Sequence, residues 1–321
     1  MKGAFLEADH SHVPDHVRTC LNKKDQVEIT AVSGRGMMAK YASSKFNVPL
    51  YDNYIDLLDN EILDFVYIFG THRQCPEIIK EAVDRNIPFI VEKPCATKPD
   101  ELVPLISKIR EKGLPHVVAL WRRYAPVITK YRDIVLEAAQ AGKLHMMFRY
   151  ITGGPDRYEK LDSGWLLDPH EAGGGFLILD GCHYIDLVRY LAMDEITDVK
   201  AFVKKDIWDT EVDDYASLIL KTSKGSTATI EVGLTNPAEP DELYNMSSRD
   251  FYIIGQPGKG IRFYSRKTGC EESEFPKGDL YDINLEDLLQ SIKGIKKPDI
   301  TLEDAYKFLC VIEKAYKDAE A

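Results

Sequence analysis

The sequence has no pair of cysteines at CxxC spacing; Cys20, Cys75, Cys95, Cys182, Cys270 and Cys310 are scattered along it. That excludes a zinc ribbon or a dithiol redox motif and points to reduced thiols rather than a disulfide framework. No apolar run approaches the ~20 residues needed to span a bilayer. The run that follows Met1-Lys2 ends at Leu6, too soon for the apolar segment of a secretory signal, so a cytoplasmic location is expected. Positive charge is in deficit: 41 Lys and Arg against 52 Asp and Glu give a formal net charge of −11. This balance argues against nucleic acid and anionic membrane as partners, while leaving room for a local basic pocket that takes phosphate. Internal repeats and low-complexity linkers are missing too.

What is present is an ordinary globular composition, 44% hydrophobic and 29% charged over 321 residues, long enough for two cores. In the first part short apolar strands alternate with helices. Strands are expected at Gly3–Leu6, Val27–Val32, Val48–Tyr51, Phe65–Phe69, Pro88–Val91 and Val117–Leu120. Helices are expected at Val13–Leu21, Met37–Phe46 (ended by Asn47), Pro76–Arg85 and Leu102–Ile109 (closed by Gly113). Such alternation means right-handed βαβ units and a parallel, doubly wound sheet. After about Trp121 the texture changes. Helices near Val127–Ala141 and Phe176–Leu191 accompany strand-like runs at Leu144–Ile151, Val199–Val203, Tyr215–Leu220, Thr227–Leu234, Phe251–Ile254 and Ile261–Tyr264. Ser223-Lys224-Gly225 reads as a hairpin turn, which favours an antiparallel sheet. Terminal helices are expected near Leu285–Ile292 and Leu302–Lys317. The expected fold is α/β: a Rossmann-like domain over residues 1–120 and a second domain with a large open, mostly antiparallel sheet over 121–321.

Phe89-Ile90-Val91-Glu92-Lys93-Pro94 runs a buried strand into a charged pair. A lysine at the carboxyl end of such a strand sits where open α/β sheets bind ligands, and its ammonium suits a substrate hydroxyl. On the tripeptide alone, a solvated Glu-Lys pair at a strand exit stays open as the alternative. The turn after the first strand, Glu7-Ala8-Asp9-His10-Ser11-His12-Val13, has no glycine. In a dinucleotide-binding fold that turn normally carries GxGxxG, so a phosphate must be met differently or sit further out. His10, His12 and His16 form an H-x-H-x3-H cluster, but no neighbouring carboxylate pattern or cysteine completes a metal site, and none is expected. Ser33-Gly34-Arg35-Gly36 follows the second strand. An arginine there accommodates a ribose 2′-phosphate and leans towards NADP over NAD, with a plain glycine turn and a solvated arginine as the alternative.

Gly173-Gly174-Gly175 leads into Phe176-Leu177-Ile178-Leu179-Asp180-Gly181-Cys182-His183-Tyr184-Ile185-Asp186. The glycines let backbone pack closely at a helix entry. At about 100° per residue, Asp180 and Asp186 flank His183, and a carboxylate beside a histidine suits proton exchange with a hydroxyl. A structural histidine is the alternative.

With these stretches in view, the chain resembles the glucose–fructose oxidoreductase/inositol dehydrogenase (Gfo/Idh/MocA) family almost end to end. The resemblance covers Glu92-Lys93-Pro94, Trp165-Leu166-Leu167-Asp168-Pro169 and Gly181-Cys182-His183-Tyr184-Ile185-Asp186. It extends to Gly255-Gln256-Pro257-Gly258 and Thr301-Leu302-Glu303-Asp304-Ala305. It implies NAD(P)-linked oxidation of sugars, cyclitols or related alcohols, with Lys93 and His183 facing nicotinamide and substrate. It further implies a homo-oligomer, a dimer or tetramer. The expected catalytic residues are Lys93, His183 and Asp180. Expected cofactor contacts are Asp9, His10, Ser11, His12, Ser33, Gly34, Arg35, Gly70, Thr71, His72, Glu92, Lys93 and Pro94. Expected substrate contacts are Arg123, Tyr124, Arg149, Arg157, Trp165 and His183. The chain departs from the family pattern at the glycine-free turn, at Leu179 in place of the usual aspartate, and at Gly70–Cys75, which lacks Thr-Pro-Asn. Two other classes stay open: a ligand-sensing homologue that keeps the fold without catalysis, and a metal-dependent hydrolase using the histidine cluster.

Overall fold

The computed structural model describes every residue except Asp162, Gly278, Asp279 and Ala321. The chain forms two compact units. The first comprises Met1–Leu120, Pro155–Gly174 and Tyr281–Leu309; the second comprises Trp121–Gly154, Gly175–Leu280 and Cys310–Ala321. The expected domains run over 1–120 and 121–321; Pro155–Gly174 and Tyr281–Leu309 belong to the first compact unit.

The first unit is built on six parallel strands: β1 (Lys2–Leu6), β2 (Glu28–Ser33), β3 (Leu50–Tyr51), β4 (Phe65–Ile68), β5 (Phe89–Val91) and β6 (His116–Val118), in the order β3-β2-β1-β4-β5-β6. Every residue of β4 and β5 is buried, which explains their uninterrupted apolar runs. Each helix end has a local cause. Asn47 adopts the left-handed conformation at the end of Met37–Phe46, and Gly113 does so after Val103–Lys112. The helix Tyr54–Asn60, which periodicity does not reveal, is set by the Asn53 side chain accepting the Asp56 N–H at 2.9 Å. His116 at the edge strand accepts the N–H of Leu302 at 3.1 Å, tying the late helix Leu302–Ala319 to this sheet.

The second unit carries an eight-stranded sheet: β7 (His145–Ile151), β8 (Ile196–Lys204), β9 (Tyr215–Thr222), β10 (Thr227–Gly233), β11 (Asp241–Ser247), β12 (Phe251–Gln256), β13 (Gly260–Ser265) and β14 (Gly269–Ser273). The order is β14-β13-β12-β11-β7-β10-β9-β8. Only β7 and β10 pair in parallel; the other neighbours are antiparallel. One face is covered by the helices Pro126–Gln140 and Cys182–Ala192. Alternate residues such as Met146, Phe148, Leu218 and Ile230 fill the space beneath them. The other face exposes Phe202 (81%) and Ile219 (60%). Two strands have no sequence signature. β11 is polar at both ends, and β14 is an exposed edge of Gly, Cys, Glu and Ser.

The triple glycine opens the helical stretch as expected. Gly175 lies against the loop before β9, where an added Cβ would stand 1.9 Å from the Asp213 carbonyl oxygen, so no larger residue fits. The Asp213 carboxylate accepts the N–H groups of Gly175 and Leu177 at 2.7 and 2.8 Å and the Tyr316 hydroxyl at 2.6 Å. The first turn, Leu177–Gly181, is wound as a π-helix before the α-helix Cys182–Ala192 begins. That overturns the uniform 100° spacing used to place Asp180 beside His183, because a wider turn changes the angle.

Candidate active site

In the first unit the expected cofactor residues lie at the carboxyl ends of β1, β2, β4 and β5, the edge where parallel sheets of this order bind ligands. Glu7, which follows β1 with φ of 48°, receives the Ser33 hydroxyl at 3.3 Å and the Tyr54 N–H at 2.9 Å. Burial, then the neighbouring Asp9 charge, raises its pKa. Asp9 accepts the N–H groups of Arg35 and Gly36 at 3.0 and 2.8 Å and so fixes the turn that leads into the helix Met37–Phe46. Gly34 stands at φ +135°, with room for only a hydrogen next to Asp9. The Arg35 side chain is exposed and donates to the Asp52 carbonyl at 3.2 Å.

Behind this turn the imidazoles gather round Glu92. His16 Nε2 donates to one carboxylate oxygen at 2.6 Å, and His12 Nδ1 lies 3.1 Å from the other and 3.1 Å from the Tyr281 hydroxyl. The His12 backbone N–H donates to His10 Nδ1 at 3.0 Å. Glu92 is fully enclosed; burial pushes its pKa up, but His12 and His16 outweigh that and hold the carboxyl well below the usual range. His10 is driven the other way: burial, with the His12 charge, holds its pKa well below 6.5 and keeps the ring neutral. His72 is pushed down to about 3 by burial, against the favourable 2.7 Å contact of its Nδ1 with the Ala172 carbonyl. Lys93, 5% exposed, adds its positive charge to the depression of both His10 and His72. Trp165 seals the cluster, its ring 5.7 Å from His10 and 5.0 Å from His72, with its Nε1 donating to the Asp9 carbonyl at 3.1 Å.

The edge fits a dinucleotide in outline. The dipole of the helix Val13–Asn22 points its positive end here, Arg35 is exposed nearby in the fold, and Lys93 follows β5. It does not reproduce a glycine cradle. The N–H groups of Ala8, Asp9, His12 and Val13 are already given to Ser33, Glu7 and His10, so they do not point at a phosphate.

The second unit builds a different constellation. Arg122 lies among Trp121, Tyr150 and Tyr184, with its guanidinium carbon 4.7, 5.0 and 5.0 Å from their ring centroids. It pairs with Glu242 and donates to the Tyr244 hydroxyl at 3.1 Å. The hydroxyls of Tyr184 and Tyr244 both donate to the same Glu242 oxygen, at 3.0 and 2.5 Å. Burial raises the pKa of both phenols, so they remain donors. Burial opposes the Arg122 charge, but Tyr184, Tyr244 and Asp180 outweigh it and raise its pKa further. Trp121 links this network to His183. The His183 ring is buried, with a centroid 6.2 Å from that of Trp121.

The expected residues separate on this map. Asp180, placed by sequence beside His183, has an oxygen 3.9 Å from Arg122 Nη2. Asp186 is gripped by Arg123 through Nε at 2.6 Å and Nη2 at 2.5 Å. Arg123, expected at the substrate, is thus buried in an ion pair, its guanidinium over the Tyr190 ring. Arg149 bridges Asp241 and Glu231 across β7, β10 and β11. Arg157 donates to the Tyr158 hydroxyl, and Trp165 belongs to the first unit's histidine cluster. Tyr124 lies in the turn Trp121–Tyr124 that also presents Arg122. Gly70 and Thr71 follow β4, and the Thr71 hydroxyl donates to Glu171 at 2.8 Å. Pro94 follows Lys93 through a cis peptide. Sequence reasoning missed Arg122, Glu242, Tyr184 and Tyr244; the adjacent Arg122-Arg123 pair was the available signal.

Two family descriptions match the chain. "Oxidoreductase family, NAD-binding Rossmann fold" matches residues 12–120, and "GFO/IDH/MocA C-terminal domain" matches residues 135–259. D-xylose 1-dehydrogenase (NADP(+)) 2 of Haloferax volcanii is 22% identical over 317 residues, covering 95% of this chain and 90% of that protein. The structure of GenD2 from gentamicin A biosynthesis, in complex with NAD, superposes with a TM-score of 0.85 at 16% identity, covering 100% of this chain and 94% of that one. An aldose-aldose oxidoreductase from Caulobacter crescentus, complexed with glycerol, gives a TM-score of 0.83 at 20% identity, covering 100% and 97%. At these identities the two structures establish the shared fold.

Proposed function

The chain belongs to the GFO/IDH/MocA family of NAD(P)-dependent oxidoreductases, and from that premise we propose that it oxidises or reduces a CH–OH group of a sugar, cyclitol or related polyhydroxylated compound. The observation that carries this reading is Lys93, a buried ammonium at the carboxyl end of β5 among neutral imidazoles. The sugar named for the Haloferax volcanii relative supports the substrate class.

Bound at this edge, the nicotinamide supplies or accepts the hydride. The side chains of Ser11 and His12 at the first turn, the Arg35 guanidinium and Lys93 are the groups that would hold the dinucleotide. Arg35 favours NADP over NAD by offering a 2′-phosphate a charge-assisted hydrogen bond. In the oxidation direction Lys93 or His183 takes the hydroxyl proton; in reverse Lys93 polarises the carbonyl. In this reading Asp180 and the Arg122–Glu242 network position His183 rather than exchange protons. Tyr124, Arg149 and Arg157 remain the assigned substrate contacts. The outward sheet face carrying Phe202 and Ile219 supports a homo-oligomer, to be read by sedimentation.

Titration with NADH and NADPH, followed by fluorescence, tests the reading together with turnover of a polyol and aldose panel. Saturable binding and reduction of NAD(P) by one member are expected. Absence of binding by either dinucleotide would leave a fold kept without its cofactor.

A further inference from the structure

The turn after β1 replaces glycines with side chains that ligate metals, and the fold adds to them from far along the chain. His10 and His12 meet Glu92, with one candidate ligand atom from each lying within 4.8 Å of the others. We infer that His10, His12 and Glu92 form a binding site for a divalent transition-metal ion of the zinc type.

Two imidazole nitrogens and one carboxylate oxygen are a ligand set that suits a borderline-soft cation and leaves a coordination position open. Bonds of about 2.0–2.2 Å set tetrahedral ligand edges of roughly 3.3–3.6 Å. His12 Nδ1 and Glu92 Oε2, 3.1 Å apart, already lie close to that spacing. His10 Nδ1 accepts a backbone N–H and so carries a bare lone pair. It reaches the ion by exchanging that hydrogen bond for the metal. The supporting groups are in place as well. His16, 1% exposed, donates to the second Glu92 oxygen at 2.6 Å and fixes the carboxylate's direction. The Tyr281 hydroxyl lies at 3.1 Å from His12 Nδ1. His12 is the open door, with its side chain 28% exposed, while Glu92 is 3% exposed. The ion would stand where glycine N–H groups face phosphate in a dinucleotide fold, and its open position would accept an oxygen anion. The site shares His12 with the dinucleotide edge, but its test needs neither cofactor nor turnover.

The test is calorimetric titration of the chelator-treated full chain with Zn²⁺ and with Co²⁺ alone. One saturable equivalent is expected, weakened at least roughly tenfold in Glu92→Gln and in His12→Asn, and weakened to a similar degree in the positioning variant His16→Gln. X-ray absorption of the one-equivalent zinc complex of the unaltered chain gives a reading that does not depend on any variant folding. It should show imidazole scattering and an all-nitrogen-and-oxygen shell. No saturable binding, sulfur in the shell from one of the cysteines, or undiminished affinity in a folded Glu92→Gln protein would each overturn the inference.

Discussion

His16 and Glu92, 76 residues apart in sequence, meet at 2.6 Å inside the first unit, with neither side chain more than 3% exposed. A buried pair of this kind is costly to break from one side, because the carboxylate is left with one partner fewer. His16→Leu is expected to lower unfolding stability by about 3–5 kcal/mol. Urea melts of the two proteins check this; a loss below about 1 kcal/mol would show that His12 alone satisfies Glu92.

His72 gives a pH dependence of defined sign. Its folded-state pKa of about 3 lies below the 6.5 of the free side chain, so the unfolded chain binds the proton first. Stability is therefore full above pH 6.5 and falls as pH drops towards 3, by up to about 1.4 kcal/mol per pH unit from this group. His72→Gln should flatten the stability profile between pH 6.5 and 5 relative to the unaltered chain. Parallel profiles would show that the ring is not held neutral.

Lys93→Met keeps length and packing while removing the ammonium. Turnover of a confirmed substrate is expected to fall at least about a hundredfold, near 2.7 kcal/mol, with dinucleotide affinity changed by less than roughly tenfold. His183→Asn should slow turnover less than this if Lys93 is the principal proton carrier. A Lys93→Met protein of normal melting temperature and near-normal rate would make the lysine structural.

Asp9 and Arg35 oppose one another at the dinucleotide edge. Arg35→Ala should remove most of an NADPH preference of roughly 1.5–3 kcal/mol. Asp9→Asn should strengthen NADPH binding by removing a carboxylate beside it, at a cost of about 1–2 kcal/mol from the weakened bonds to the Arg35 and Gly36 N–H groups. Equal NADH and NADPH affinities in the unaltered chain would sink the assignment.

Gly175→Ala places a methyl carbon within 1.9 Å of the Asp213 carbonyl oxygen. Backbone must move, and the Asp213 bonds to Gly175 and Leu177 go with it. A loss of at least about 2 kcal/mol is expected by thermal melt.

The parallel sheet was legible because β4 and β5 are buried on both faces and Asn47 and Gly113 stop their helices by local chemistry. β11 was not, because Asp241, Glu242 and Asn245 break the alternation that marks a strand. Those same polar positions supply Glu242 to Arg122. The site followed the same division. Lys93 and Glu92 were readable from a strand exit, and the histidines from their spacing. What no local pattern contains is the meeting of His12 with a carboxylate 80 residues later, which only the β1–β4–β5 order produces. The π-turn at Leu177–Gly181 has no local mark either, and the Leu177 N–H at its start goes to Asp213, far along the chain.

The bond from Leu302 to His116 also has a consequence for a chain growing on the ribosome. The 186 residues between them take roughly 10 to 40 seconds to synthesise at about 5–20 residues per second. All six strands of the first sheet are therefore exported long before the last segment of their own unit exists. During that interval the edge at β6 waits with an unfilled acceptor, and Pro155–Gly174 arrives midway. The first unit is finished only when Tyr281–Leu309 emerges.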